Sequence, residues 1–264
     1  MRCPLCERDL AETGSASWSL LCSSGHSFDA NKRGYLNLVD RTRGITGDTR
    51  EILEARDAFL RAGHYSPVAG LITDMLPDDA GRSILDSGCG TGYYLARVLE
   101  ARPDWQPLAL DVSADAVAMT VRSTGSAGVV SDVWRPLPVR DARADVVLCV
   151  FAPRNPDEFA RVLRTDGRLV VVTPAADHLA QLRASGRLIG IQPDKLAHLD
   201  ASLSERFALV ERRSLGYDVE LGESDIRNLA GMGPSGHHAA LNDLEHPESA
   251  TVTVAVDVSV YSPG

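Results

Sequence analysis

Lysine is nearly missing from this chain. Lys32 and Lys195 are the only two among 27 basic residues, so its positive charge is carried almost wholly by arginine. An arginine fork suits phosphate and stacks on bases, but a GC-rich coding sequence gives the same bias, so two explanations stay open. Long apolar runs are missing as well. No stretch of about 18 apolar residues occurs, which argues against a membrane-spanning helix. No N-terminal segment joins a basic start to an apolar core, as an export leader would. The expected location is the cytoplasm. Neither internal repeats nor low-complexity segments are present. The net charge of -9 is the wrong sign for a general nucleic-acid binder, because phosphate contact requires clustered Lys and Arg. Such a cluster does exist locally. Lys32, Arg33, Arg41, Arg43 and Arg50 outnumber Asp40 and Asp48 between residues 32 and 50, and these five cations are the candidate RNA contacts.

Cysteine is also scarce, and its distribution is uneven. Of five cysteines, three fall within the first 22 residues, in Cys3-Pro-Leu-Cys6 and Cys22-Ser-Ser-Gly-His26. Cys3, Cys6, Cys22 and His26 supply three thiolates and an imidazole, a closed tetrahedral set that leaves no position for water or substrate. The implied metal is structural zinc. A redox pair is the alternative, but no thioredoxin-like pattern surrounds it. Residues 1–38 carry little periodic apolar sequence and cannot build a core without a metal. Cys89 and Cys149 lie in apolar surroundings and read as buried thiols.

At 264 residues with 44% apolar content, the chain can form one ordinary domain and a small second one. Residues 39–50 read as a Gly-containing linker. A helix is predicted from Asp48, where Asp48 and Glu51 have capping-box spacing, with Ile52, Ala55 and Phe59 on one face and an end near Gly63. From residue 83, short apolar runs at 84–85, 108–110, 129–130, 146–150 and 169–172 alternate with helical segments near 92–101, 113–123 and 156–164. That pattern predicts strands buried on both faces of a parallel sheet. Residues 207–221 and 251–261 are β-favouring stretches around a short helix near 223–230, suited to an antiparallel pair at the sheet edge.

Within the first of these units, Ile84-Leu85-Asp86-Ser87-Gly88-Cys89-Gly90-Thr91-Gly92-Tyr93 runs from a strand through a glycine loop into a helix. Glycines let the backbone approach a ligand, and the helix start offers free N–H groups. Asp111 ends the next strand, where a carboxylate can take both ribose hydroxyls. Asp132 follows the third, beside the place of an adenine, though a strand-end turn would use it equally well. A dinucleotide enzyme shares the first two features. The Asp-x-Gly-x-Gly-x-Gly form and the third acid favour S-adenosylmethionine.

Together with the metal motif, Phe28-Asp29, Gly34-Tyr35, Asn37, Gly47-Asp48-Thr49, Glu54-Ala55-Arg56, Phe59, His64-Tyr65, Phe151-Ala152-Pro153, Thr173-Pro174 and His178 appear in order. On these marks the chain resembles the RlmA family of 23S ribosomal RNA guanine-N1 methyltransferases, and in particular its actinobacterial, tylosin-resistance branch. The resemblance spans nearly the whole chain. It implies an α/β fold: a class I, Rossmann-like methyltransferase domain with a seven-stranded, mostly parallel sheet over residues 67–264. A zinc-binding RNA-recognition domain over 1–38 and a linker and helix over 39–66 would precede it. Tyr65, Gly90, Thr91 and His178 match the family's cofactor-contacting positions, beside Asp86, Gly88, Asp111 and Asp132, and Ala152-Pro153 falls where the acceptor base is presented. The implied partners are a 23S rRNA hairpin loop and a second copy in a homodimer, with no membrane, and macrolide resistance is a further expectation. His237 stands where the family carries an arginine. His237, His238, an acceptor near Ala152-Pro153 and water all stay open as the proton acceptor. The rival expectation is a small-molecule methyltransferase of a biosynthetic pathway in which the zinc only stabilises a cap.

Overall fold

The computed structural model describes residues 1–13, 19–39, 47–79, 82–186, 188, 195–233 and 247–264. Its N-terminal part is a three-stranded antiparallel sheet of β1 (Leu10–Glu12), β2 (Ser19–Cys22) and β3 (Ser27–Asp29). The short strand β4 (Tyr35–Asn37) then leaves this module for the main sheet. Helices α1 (Arg50–Arg61) and α2 (Ser66–Asp74) follow. The alternating part consists of β5 (Ser83–Ser87), α3 (Tyr93–Ala101), β6 (Gln106–Asp111), α4 (Ala114–Thr124), β7 (Ala127–Val130), β8 (Ala144–Val150), α5 (Pro156–Val162) and β9 (Leu163–Pro174). Helices α6 (Ala180–Ala184) and α7 (Lys195–Leu203), strand β10 (Phe207–Gly222), helix α8 (Glu223–Gly231) and strand β11 (Ser249–Pro263) complete it.

The main sheet has the order β10-β11-β9-β8-β5-β6-β7-β4. Strands β4 to β9 are parallel to their neighbours among themselves, whereas β11 runs antiparallel to both β9 and β10. The apolar run of β8 explains its central place: all seven of its residues are buried. Val146, Leu148 and Val150 face one side, with Leu95, Val98 and Val117. Val147 and Cys149 face the other, with Phe159 and Leu199, as the two-residue period of a strand requires. Edge strand β10 is largely exposed over its 16 residues.

One expectation is extended and one corrected. Strands β5 to β11 are the seven expected of residues 67–264, and Tyr35–Asn37 of the N-terminal part adds an eighth by pairing in parallel with Gly128–Val130. The first helix is capped by Thr49, not Asp48. The Thr49 hydroxyl accepts from Ile52 N–H at 3.4 Å, while the Asp48 carboxylate is drawn 2.6 Å from the Arg56 guanidinium.

The N-terminal module is seated on the sheet edge rather than held apart from it. Its Leu10 and Leu20 pack with Leu36, Leu38 and Val129. Arg2 N–H donates to the Pro138 carbonyl at 3.0 Å, Arg2 reaches Asp141 at 3.2 Å, and Asp9 pairs with Arg140 at 2.8 Å. No helix among the described residues is long and apolar enough to cross a membrane.

Candidate active site and metal centre

Cys3, Cys6, Cys22 and His26 converge, with all four ligand atoms within 4.8 Å of one another. Tight turns at both ends of the module bring this about. Glu7 N–H returns to the Cys3 carbonyl at 2.8 Å and Gly25, with φ +85°, bonds back to the Cys22 carbonyl at 2.9 Å. The Cys6 and Cys22 sulfurs lie 3.7 Å apart, and His26 Nδ1 lies 3.5 Å from Cys3 Sγ and 3.4 Å from Cys22 Sγ. A tetrahedron with zinc bond lengths has S–S edges of about 3.8 Å and S–N edges of about 3.6 Å. The donor set therefore fits zinc in both chemistry and spacing.

On the main sheet, β5 delivers Asp86 and Ser87 into the glycine loop, and α3 begins after Gly92. Gly88, Gly90 and Gly92 all have positive φ, at +82°, +52° and +79°, the region where a side chain is strained. A Cβ on Gly88 would meet the Ala152 Cβ at 2.5 Å, so the loop and the segment after β8 touch through that glycine. Asp111, at the end of β6, accepts from Gly90 N–H at 3.0 Å and from Ser113 N–H at 2.9 Å. Each of its oxygens retains a lone pair for a ligand hydroxyl. Asp86 is 4% exposed. Burial, and then the nearby Asp111, push its carboxyl up to about 7, and no basic side chain among the described residues forms an ion pair with it. A buried carboxylate beside a glycine cradle and a strand-end carboxylate fits a ligand that carries an ammonium group and a ribose, as S-adenosylmethionine does.

A second wall is aromatic. The Tyr65 hydroxyl lies 3.1 Å from His178 Nε2, and Ala255 N–H donates to His178 Nδ1 at 3.1 Å. With Nδ1 the acceptor, the proton sits on Nε2 and the ring is neutral. Burial agrees, pushing His178 down to about 4. The Tyr65 hydroxyl thus accepts from His178 and keeps its own proton to donate. Phe151 stacks on His178 with ring centres 6.2 Å apart, and Tyr94 meets Phe151 edge-on at 6.4 Å. The Tyr94 hydroxyl is buried with no hydrogen-bond partner among the described residues. Phe151 and Leu179 are non-glycine residues with φ of +53° and +54°, strain stored on both sides of this wall.

Of the residues singled out in the sequence, Tyr65, Asp86, Gly88, Gly90, Thr91, Asp111 and His178 lie on elements whose ends meet at the carboxyl edge of the sheet, with Ala152 against Gly88. Cys149 Sγ lies 3.5 Å from the Ala152 and Pro153 carbonyl oxygens. Asp132 closes a turn, accepting from Trp134 N–H at 3.0 Å. Arg33 and Arg50 form exposed ion pairs with Asp115 and Glu54, contacts weak enough to exchange for phosphate. Lys32 is exposed. Arg41, Arg43, His237 and His238 lie outside the described residues. Sequence reasoning gave Arg56 no role, yet its guanidinium binds Asp48, donates to the Met232 carbonyl at 2.6 Å and lies beside Gly90. The only sequence signal was its place in Glu54-Ala55-Arg56.

Comparison with known proteins bears on this arrangement. Residues 1–40 match the model of the RlmA N-terminal zinc ribbon, and residues 84–170 match that of a methyltransferase domain. A Streptomyces fradiae protein named 23S rRNA (guanine(748)-N(1))-methyltransferase is 37% identical, over 100% of this chain and 96% of its own length. The chain belongs to the 23S rRNA (guanine-N1)-methyltransferase family. A Micromonospora griseorubida relative of this family is 38% identical, over 100% of this chain and 97% of its own. Among solved structures, YcgJ from Bacillus subtilis superposes with a TM-score of 0.51 at 18% identity, covering 75% of this chain and 98% of that one, a likeness of fold. The cofactors of this family member are S-adenosylmethionine and zinc.

Proposed function

We propose that the chain transfers the methyl group of S-adenosylmethionine to N1 of a guanine in a hairpin loop of 23S rRNA. The observation that carries this reading is the joining of the two sites. A closed metal centre on residues 1–38 is seated directly on the sheet that carries the cofactor cradle, and the named 23S rRNA methyltransferases match the chain across both parts. A metal with four protein ligands has no open position for chemistry, so its module serves recognition. In the proposed division of labour, the zinc module of residues 1–38 and the 32–50 segment grip RNA, the latter with Lys32, Arg33, Arg41, Arg43 and Arg50. Residues 39–66 lead into the cofactor pocket with Tyr65, and residues 67–264 perform the transfer. We further propose that the enzyme acts in the cytoplasm as a homodimer and that methylation contributes to macrolide resistance.

When bound, the cofactor supplies a sulfonium methyl, an electrophile strong enough to need no Lewis acid. The protein's work is therefore alignment and proton acceptance. Asp111 is placed to take the ribose hydroxyls, with Asp132 toward the adenine. Asp86 would hold the ammonium, and the Tyr65 hydroxyl, oriented by His178, would donate toward the methionine end. Gly88, Gly90 and Thr91 form the floor. Ala152-Pro153 meets the base. Guanine N1 carries a proton and faces its partner in a duplex, so an unpaired loop costs least to present it. His237 and His238, an acceptor at Ala152-Pro153-Arg154, and water are the candidate proton acceptors.

This assignment makes cofactor affinity depend on pH. A carboxyl raised to about 7 in the folded protein favours the protonated form, so the free fold loses stability as pH rises from the ordinary carboxylate range to about 7 and no further above it. Binding of an ammonium reverses the preference and requires the ionised form. Affinity is then expected to fall by up to about tenfold for each pH unit below 7, and Asp86→Asn should flatten that dependence at low affinity. Calorimetric titration from pH 5 to 8 checks it; a flat wild-type profile would remove Asp86 from the ammonium.

The function itself is tested with purified enzyme, labelled S-adenosylmethionine and 23S RNA transcripts. Label is expected in N1-methylguanosine of a loop nucleotide, with RNA affinity falling steeply with salt. Unlabelled RNA together with a labelled small metabolite would transfer the reading to the small-molecule alternative.

A further inference from the structure

Among the described residues, the exposed aromatic side chains stand at one rim. Trp105 is 3% exposed, whereas Trp134 is 65% exposed and Phe151 is 40% exposed. Trp134 follows β7 and Phe151 follows β8, so both leave the carboxyl edge of the sheet, where the cofactor cradle opens.

An exposed tryptophan on a mobile loop would mean little, but this loop is fixed at successive residues. Trp134 N–H donates to Asp132 Oδ1 at 3.0 Å, and Arg135 N–H donates to the Asp132 carbonyl at 3.1 Å. The Asn155 side chain donates to the Val133 carbonyl at 2.9 Å, tying the loop to the segment that carries Phe151-Ala152-Pro153. Leu137 N–H donates to Glu158 at 2.6 Å, and the Leu137 carbonyl accepts from Arg161 at 3.0 Å. The same stretch of chain then bonds, at Pro138, Arg140 and Asp141, to the zinc module. Trp134 is therefore held in water on a rigid segment that joins the metal module to the acceptor loop.

The charge beside it is positive despite the net -9 of the chain. Arg135 is half-exposed, with its nearest carboxylate, Asp132, 4.0 Å away. Arg154 lies on the acceptor loop, close enough to Lys195 to help burial push that ammonium down. Arg135 follows Trp134 in the chain, and Arg154 precedes the Asn155 that is tied to Val133; an exposed aromatic ring with guanidinium groups on the same joined loops is the combination that stacks an unpaired base and receives its phosphates.

We propose that Trp134 is a stacking platform for an unpaired RNA base next to the methylated guanine, with Arg135 and Arg154 receiving the flanking phosphates. This rests on the RNA reading above and adds a contact surface separate from the basic residues of 32–50. It also says what that surface recognises: a splayed base, not a paired one.

The test uses the zinc-loaded full chain, a 23S hairpin transcript and a fully paired RNA of equal length. Tryptophan emission should be quenched by the hairpin and little changed by the duplex. Trp134→Phe should lose the quench but keep hairpin affinity within about threefold, because a ring still stacks. Trp134→Ala should weaken the hairpin by roughly 5- to 150-fold, the measured range for removing one base–aromatic stack. Calorimetric affinity for S-adenosylmethionine should stay at the wild-type value in both variants, which also certifies their folding. Wild-type hairpin affinity in Trp134→Ala would overturn the proposal, and so would a parallel loss of cofactor affinity, which would make Trp134 a wall of the adenine site. If the wild-type enzyme methylates the transcript and only these variants behave otherwise than stated, the platform fails and the functional reading stands. If the wild-type enzyme leaves the transcript unlabelled, that reading fails and takes the platform with it.

Discussion

Cys22→Ser is expected to strip the metal from the N-terminal module and lower RNA methylation by roughly a hundredfold or more, since metal binding supplies most of the folding free energy of such a module. Cofactor affinity should stay within about twofold of wild type, since Cys89 of the glycine loop and Ala109 of the strand that ends in Asp111 belong to a separately packed core. The contrast follows from where the apolar contacts lie. Strands β1 to β3 contain three or four residues each, and their small cluster includes Cys3 and Cys22 themselves. Remove a thiolate and the remaining burial, mainly Leu10 and Leu20 against Leu36 and Val129, is too small to order the chain. The effect should stop at the sheet edge. Strand β4 pairs with β7 through only three residues, and β7 is also held by β6. Metal analysis, far-UV circular dichroism and calorimetry measure the three quantities. A zinc-free variant that methylates RNA at the wild-type rate would sink the idea that this module recognises substrate.

What the sequence made legible was whatever a local pattern encodes. The buried run of β8, the Asp86-to-Gly92 loop and the spacing of Cys3, Cys6, Cys22 and His26 each carry their geometry within a few residues, and each folds as its pattern requires. Contacts between distant segments left no such trace. Tyr65 and His178 are 113 positions apart, and nothing in either neighbourhood announces the hydrogen bond that fixes the ring. Strand β4 has three residues, too few to show a period, so the eighth strand could be found only by its pairing with β7. The helix cap moved from Asp48 to Thr49 for a similar reason: Arg56, two turns along α1, competes for the Asp48 carboxylate. Trp134 is invisible in another way, since its role depends on exposure, and composition would have placed a tryptophan in the core.

Gly88→Val should abolish methylation and reduce cofactor binding below detection while the domain still folds. Two independent penalties meet at this position. The backbone has φ +82°, a region that costs a β-branched residue more than the roughly 1–2 kcal/mol it costs alanine. In addition, the first carbon of any side chain would stand 2.5 Å from the Ala152 Cβ. That neighbour cannot rotate away. Ala152 has no further atoms to move, and its loop is anchored by Asn155 at the start of α5 and by Phe151 N–H bonding to the Val172 carbonyl at 3.1 Å. Either the cofactor loop or the acceptor loop must shift by about an ångström, and misplacement on that scale costs about a hundredfold in rate by itself. Gly90 provides the control. Its Cβ would meet only the end of the Arg56 side chain, at 3.3 Å, so Gly90→Ala should cost only the roughly 1–2 kcal/mol of a left-handed backbone and disturb the two loops less. Gly88→Val should lower stability and affinity further, with the melting temperature falling by about 2–4 °C per kcal/mol. Calorimetry beside thermal melts distinguishes the two variants. Cofactor affinity within threefold of wild type in Gly88→Val would show that the contact between Gly88 and Ala152 does not hold the two loops in register.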